Sequence, residues 1–335
     1  MIQDGDDAPA RMGRSGNALR LFVCGAATLG VVAWLSWPRQ EGDPSFDATV
    51  ARPAYAAARP SVLVDEGHRN VHTTTGRYEP FARLLRADGY DVSPSRVRLT
   101  RGALDGHAVL VIANALGWRG AGQLILDGQH LEGKLDLRAD AFDGAECDAV
   151  RGWVESGGSL LLVADHAPCG QAAAGLAGRF GVGMTDWYAE DPEHHDEESG
   201  NWGWLVFSRD DDLLGSHPIL EGRDASERIC RVLTFTGQSL VPPPAAVSLL
   251  RMSRTAIEYP WRDSPDDCNR PAAGLSQGLA LELGKGRVVV IGEAALLSSQ
   301  IVSSPGRTAR IGMSHEGCDD RQLLLNVMHW LSHLI

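Results

Sequence analysis

Lysine is almost absent: Lys134 and Lys285 are the only two in 335 residues, and arginine carries the remaining positive charge. A surplus of positive charge is missing as well. Acidic residues number 43 against 31 basic ones, leaving a net charge of −12, which repels phosphate backbones. Basic runs interleaved with aromatics are lacking too, so no nucleic-acid partner is expected. The six cysteines form no CxxC pair and no Cys/His zinc spacing, which excludes zinc ribbons. No solenoid repeat is present. The 44% hydrophobic and 22% charged fractions exclude a disordered chain and allow a core of ordinary size.

What is present begins with residues 21–37 (LFVCGAATLGVVAWLSW), seventeen residues without a charge. As a helix this run spans roughly 25 Å, enough to cross a bilayer. Arg11, Arg14 and Arg20 precede it, and Trp34 and Trp37 stand where interfacial aromatics belong. The pattern predicts a cytoplasmic tail at 1–20, a transmembrane anchor at 21–37 and a linker at 38–60. The protein is then single-pass in the cytoplasmic membrane, its body on the periplasmic or extracellular side. A cleaved signal peptide is the rival reading, but Ser36, Trp37, Pro38 and Arg39 follow the run in place of an A-x-A site. Cys24 inside the run lacks a polar mature start behind it, which argues against lipid attachment. The other five cysteines are an odd set, so at least one is a free or intermolecular thiol.

Residues 61–335 read as one α/β domain. The apolar runs 61–65, 90–97, 108–113, 159–164 and 287–292 read as strands one to five. Helical spacing appears at 78–88, 141–156 and 322–334. Glycines follow the first two helices as stop signals. Strands alternating with helices imply parallel units and a doubly wound sheet. An insertion at 167–283, between strands four and five, reads as a lobe with an acidic loop near 186–198 and strand-like pieces at 231–235 and 246–250.

Open parallel sheets hold ligands outside the carboxyl ends of their strands. Here those ends carry Asp65, Glu66, His68, Asn70 and His72, then Asn114, then Asp165 and His166, then Glu293. Two chemistries suit this set. Asp65, His68, His72, Asp165 and His166 are the donor types of a divalent metal such as zinc, manganese or iron, which would activate a water. Metal-free acid–base work would instead use Asp165, His166, His68 and Glu293 as catalytic groups. Glu66, Asn70, Asn114 and His217 are candidate substrate contacts. His194 and His195 lie in an acidic loop that reads as solvated, and His315 as a group reaching in after strand five. His329 and His333 read as surface or packing residues, and Cys169, behind Pro168, as structural.

Four stretches carry a family likeness: 62–72 (VLVDEGHRNVH), 150–166 (VRGWVESGGSLLLVADH), 217–222 (HPILEG) and 284–294 (GKGRVVVIGEA). With 326–331 (NVMHWL), the chain from residue 61 to its end resembles the class I glutamine amidotransferase-like superfamily, nearest its trehalose-utilisation-like branch. The resemblance implies a flavodoxin-like sheet of order 2-1-3-4-5. It does not imply glutaminase chemistry: the family's nucleophile elbow bears cysteine, and here that turn is Asp165-His166. Two functions are weighed, the first of them the leading expectation and the second its rival. One is a hydrolase-like enzyme acting on a small polar or carbohydrate-type substrate at the outer membrane face. The other is a non-catalytic module of the same fold that binds a ligand or a partner protein.

Overall fold

The computed structural model describes residues 39–335 apart from 58, 127–128, 136–138, 261–268 and 305, with the backbone alone for 118–135, 304 and 307. The expected tail and anchor lie outside the described residues. Among those described, no helix is long and apolar enough to cross a membrane.

The main sheet has nine strands: β1 (Ser61–Asp65), β2 (Asp91–Ser95), β3 (Val109–Ala113), β4 (Ser159–Val163), β5 (Gly183–Met184), β6 (Leu240–Val241), β7 (Val247–Arg251), β8 (Ser276–Leu283) and β9 (Gly286–Ile291). Their order is β2-β1-β3-β4-β9-β8-β6-β5, with β7 also paired to β8. The first five run parallel. They are the five strands read from the sequence, in the 2-1-3-4-5 order. Continuous apolar runs form here because each strand is covered on both faces. In β4, Leu161 and Val163 pack under α1 (Glu79–Ala87) and the closing helix Asp320–Leu331, while Leu160 and Leu162 face the other layer. That layer is α2 (Gly144–Glu155) and α3 (Cys169–Gly178), which makes the closing helix α4. Asp143 caps α2 in a reciprocal box with Glu146, so the helix starts three residues later than its apolar spacing suggested.

Three regions depart from the sequence expectation. The insertion, expected as a lobe of the same domain, is partly continuous with the main sheet: β5 to β8 extend that sheet by antiparallel pairing, while residues 188–271 also form two small three-stranded sheets. Helix α3 was not foreseen, because its CGQAAAGLAG sequence is small and apolar all round and shows no amphipathic period. The expected linker is the third. Residues Arg39–Gly42 form a strand against Ser299–Ser304, which pairs in turn with Arg307–Gly312. Beyond it Phe46 is buried in the core, the Ala54 amide donates to Asp88 (2.8 Å) and the Tyr55 hydroxyl reaches Ser332 (2.8 Å). An extended chain held by side-chain bonds has no hydrophobic period to read. Cys147, Cys169, Cys230 and Cys318 are free thiols.

Leu161 lies at the centre of this sheet with no exposed surface. Leu161→Ala is expected to lower the unfolding free energy by about 2–5 kcal/mol. Urea denaturation followed by far-ultraviolet dichroism measures it; a loss under about 1 kcal/mol contradicts the packing described.

Candidate functional site

The loop after β1 is organised around Asp65, whose side chain is fully buried. Its carboxylate accepts from the Gly67 amide (3.1 Å), from Nδ1 of His68 (2.9 Å) and from Nδ2 of Asn70 (3.1 Å). The other ring nitrogen of His68, Nε2, lies 3.1 Å from Oε1 of Glu146. Glu146 is itself fixed by the α2 capping box and by the Leu99 amide (3.1 Å). Phe142 packs on the imidazole at 4.5 Å between ring centroids. With both nitrogens facing carboxylates, the ring serves best as a charged double donor. Burial alone would lower its pKa, but the hydrogen bonds and charges of Asp65 and Glu146 outweigh burial and raise it. Glu66 turns elsewhere, accepting from the amide (2.8 Å) and hydroxyl (2.7 Å) of Thr74 and pairing with Arg96 (3.3 Å).

A second cluster gathers at the ends of β3, β4 and β9. Asn114, at a positive φ of 46°, donates through Nδ2 to Asp165 (2.6 Å) and accepts the Asp165 amide (2.9 Å). The other Asp165 oxygen accepts the Ala294 amide (3.1 Å). Glu293, 1% exposed, accepts the amides of Ala295 (2.6 Å) and Leu296 (2.8 Å), capping a single 3-10 turn. Burial, then the Asp165 charge, push Glu293 well above the usual carboxylate range. Burial also raises Asp165, against the opposing pull of His166, Asn114, the Ala294 amide and Arg77. Tyr78 donates to the Ala294 carbonyl (3.0 Å).

Beside Asp165, His166 holds the Ala167 carbonyl with Nδ1 (3.0 Å) and lies 3.9 Å, centroid to centroid, from the ring of Tyr188. Tyr188 stacks in turn on Tyr259 (5.7 Å). Gln238 ties the end of β4 to Asp186: its Nε2 donates to the Ala164 (2.8 Å) and Asp165 (3.0 Å) carbonyls, and its Oε1 accepts the Asp186 amide (2.7 Å). Burial pushes Asp186 up to about 6, despite hydrogen bonds from the Gln171 and Gly170 amides and the nearby His166. Cys169 opens α3 and is buried. Burial and then the charges of Asp165 and Asp186 raise its thiol well above the ordinary value, so it stays protonated and non-nucleophilic. That agrees with the structural role expected for it.

The five metal-donor candidates do not converge. Among the described residues no group of three or more His, Cys, Asp and Glu side chains is placed to hold a metal ion. The reason is visible at each histidine. His68 has both nitrogens committed to carboxylates. His72 is buried edge-on to Tyr78 (4.7 Å) with no hydrogen-bond partner at either nitrogen among the described residues, and burial and Arg77 hold it well below the usual imidazole value. His166 turns to Tyr188. His217 is not on this rim. It caps the turn Pro218–Glu221, accepting the Ile219 amide (3.2 Å), and packs on Trp330 (4.8 Å). Arg287 covers the same indole at the start of β9, so His217 belongs to the amino ends of the strands.

The acidic loop is not merely solvated either. Asp191 and Asp196 are buried, and Asp191 accepts the Glu193 amide (3.0 Å) and the Thr255 hydroxyl (2.7 Å). His315 packs near Trp204 and Phe235 (6.1 and 5.7 Å), its Nδ1 2.9 Å from the Glu316 carbonyl. His329 is buried against Asp88 (2.8 Å), a packing role as expected. Sequence reasoning missed Glu146, Arg77, Tyr188, Asp186 and Gln238. Only Glu146 left a signal, the D-x-x-E of a capping box. Arg77 lies close enough to act on Asp165, His72 and Cys169. It also lines a cleft of about 380 Å³ with Gln40, Glu41, Val71, Glu79 and Arg83.

The His68 clamp has a pH signature. Its folded pKa is raised above an unfolded value near about 6.5. Its contribution is therefore fully present below that value and is lost as pH rises through the folded one. Wild type minus His68→Gln, compared by thermal unfolding across that window, is expected to show a stability gap that shrinks as pH rises. A gap constant with pH contradicts a charged His68.

No family model matches the chain, and no curated protein matches it. Solved structures do. A ThuA-like protein from Parabacteroides merdae matches at a TM-score of 0.41 and 13% identity, over 82% of this chain and 90% of its own. A GMP synthase-like protein from Thermoplasma acidophilum matches at 0.40 and 11%, over 83% and 97%. The mmIFT52 N-terminal domain matches at 0.55 and 14%, over 81% of this chain and 97% of that domain. At that identity the likeness to the mmIFT52 domain is one of fold alone: an α/β domain built on a large parallel sheet.

Proposed function

We propose that this protein is a membrane-anchored, glutamine amidotransferase-like domain that binds a small polar ligand at its strand-end rim without transforming it. The carrying observation is that the rim's carboxylates and His68 are taken up internally. Asp65, His68 and Glu146 satisfy one another, and Asp165 is held by Asn114 and the Ala294 amide. Glu293 is a turn cap, and the Cys169 thiol is enclosed. Groups satisfied by protein partners in this way serve first to organise loops. The cleft at Arg77 is of the size that small ligands occupy, about 300–1,000 Å³. Two arginines and two glutamates in its wall suit a polar occupant over an apolar one.

The four sequence stretches that resemble that superfamily, together with the parallel strand order 2-1-3-4-5, support the family reading. The uncharged run at 21–37 supports the anchor, with the body on the periplasmic or extracellular side. A second reading, hydrolase-like acid–base chemistry, has one observation in its favour. Asp186, pushed up to about 6, stands beside His166 at the edge of the rim, a pairing of the kind active sites use.

The two readings part on turnover. A library of sugars, sugar phosphates and amino acids would be screened by calorimetry for binding and by mass spectrometry for consumption. Binding without consumption is expected, and Arg77→Ala should weaken it by about ten- to a hundredfold, ~1.5–3 kcal/mol. Consumption of any compound, abolished by Asp165→Asn or His166→Ala, would reverse the choice in favour of the hydrolase.

A further inference from the structure

Residues 39–60 take a directed path across the domain. Gly42 packs on the Gly76 carbonyl and on Pro80, at the start of α1 and beside the rim. The Tyr55 amide reaches the Asp88 carbonyl (3.1 Å) at the far end of α1, and the Pro60 carbonyl accepts the Asp91 amide (3.1 Å) where β2 begins. The chain thus descends from the carboxyl ends of the strands to their amino ends. Followed backwards, it leaves the domain on the rim side. Strand Arg39–Gly42 continues that exit, and its register puts Gly42 opposite Gln300 and Arg39 opposite Ser303. The chain therefore departs at the end of the small sheet where Ser304 turns into Arg307.

We propose that the rim faces the bilayer, with the turn of this hairpin and the mouth of the Arg77 cleft seated on the lipid headgroup layer. The proposal rests on the anchor at 21–37. Given that anchor, the geometry leaves little slack. Trp37 precedes Arg39 by two residues, a reach of at most roughly 7 Å. Gln40, in the cleft wall, is then at most roughly 10 Å from the anchor's end. The headgroup layer is itself roughly 5–8 Å thick on each side. Strand pairing from residue 39 onward removes the tether that would let the body turn over. Residues 299–312 contain no acid to repel an anionic headgroup, although Arg310 is already paired with Asp43 (3.0 Å). A ligand entering the cleft would arrive from the membrane surface.

The test uses the full chain reconstituted in vesicles of phosphatidylethanolamine and phosphatidylglycerol carrying headgroup-attached nitroxide. A fluorophore is placed at Thr308→Cys, on the exposed hairpin, or at Lys285→Cys, in the exposed turn before β9 at the opposite end of the sheet. Cys24, Cys230, Cys268 and Cys318 are changed to serine in both. Flotation with the vesicles, full retention of emission at 285 and loss of most emission at 308 are expected. Flotation with equal emission at the two positions, or with loss at 285 alone, overturns the orientation and leaves the anchor standing. Failure to float overturns both. A third label at Ser303→Cys, the cross-strand partner of Thr308, guards against misfolding of one variant and must report the same side.

Discussion

Five parallel strands buried on both faces impose the constraint from which the rest follows. Such a sheet admits polar side chains only where the strands stop, because an unpaired polar group inside costs more than a buried methyl group contributes. Asp65, Asn114, Asp165 and Glu293 all stand at those stops. They are there first because chain turns leave backbone amides without partners, and each of the three acids accepts at least one such amide. A ligand at the rim would have to use what remains of it after these obligations are met.

The rim divides into two units with different chemistry. Around His68 the charges cancel: its imidazole and Arg98, 3.5 Å from Glu146, answer two carboxylates and join the loop after β1 to the start of α2. Removing either acid would leave the other partner buried and uncompensated, a costlier change than removing the whole set. Around Asp165 the charges do not cancel. Two buried carboxylates stand here, Asp165 beside the enclosed Cys169 thiol, and burial keeps proton affinity high for both acids. Arg77 is the cation positioned to answer them, and it is also the residue that reaches the open cleft.

Much of this architecture was legible in the sequence because its signals are strong ones. VLVIA and SLLLV can hardly be anything but strands covered on both sides, and the glycines after α1 and α2 sit at positive φ of 99° and 122° as stops require. What escaped notice has physical causes. Helix α3 lacks a polar face, so it has no period. The stretch from Arg39 is extended and tied down by distant side chains. The metal reading failed to find a cluster because strand-end position fixes which rim a residue joins, not which way its ring turns: His72 looks to Tyr78, His166 to Tyr188. His217 missed even the rim, since a helix-capping histidine reads like a ligand when its partner is a backbone amide.

The small sheet that begins the domain has an uneven architecture. Ser299–Ser304 is its middle strand, flanked by Arg307–Gly312 on one side and by Arg39–Gly42 on the other. Cutting the chain free at residue 44 would strip one flank and leave a row of unpaired amides and carbonyls along Ser299–Ser304, with Ile301 and Val302 among them. Exposed edges of that kind recruit strands from neighbouring molecules. A soluble body prepared without those few residues would therefore gain a self-association surface that the intact chain keeps covered.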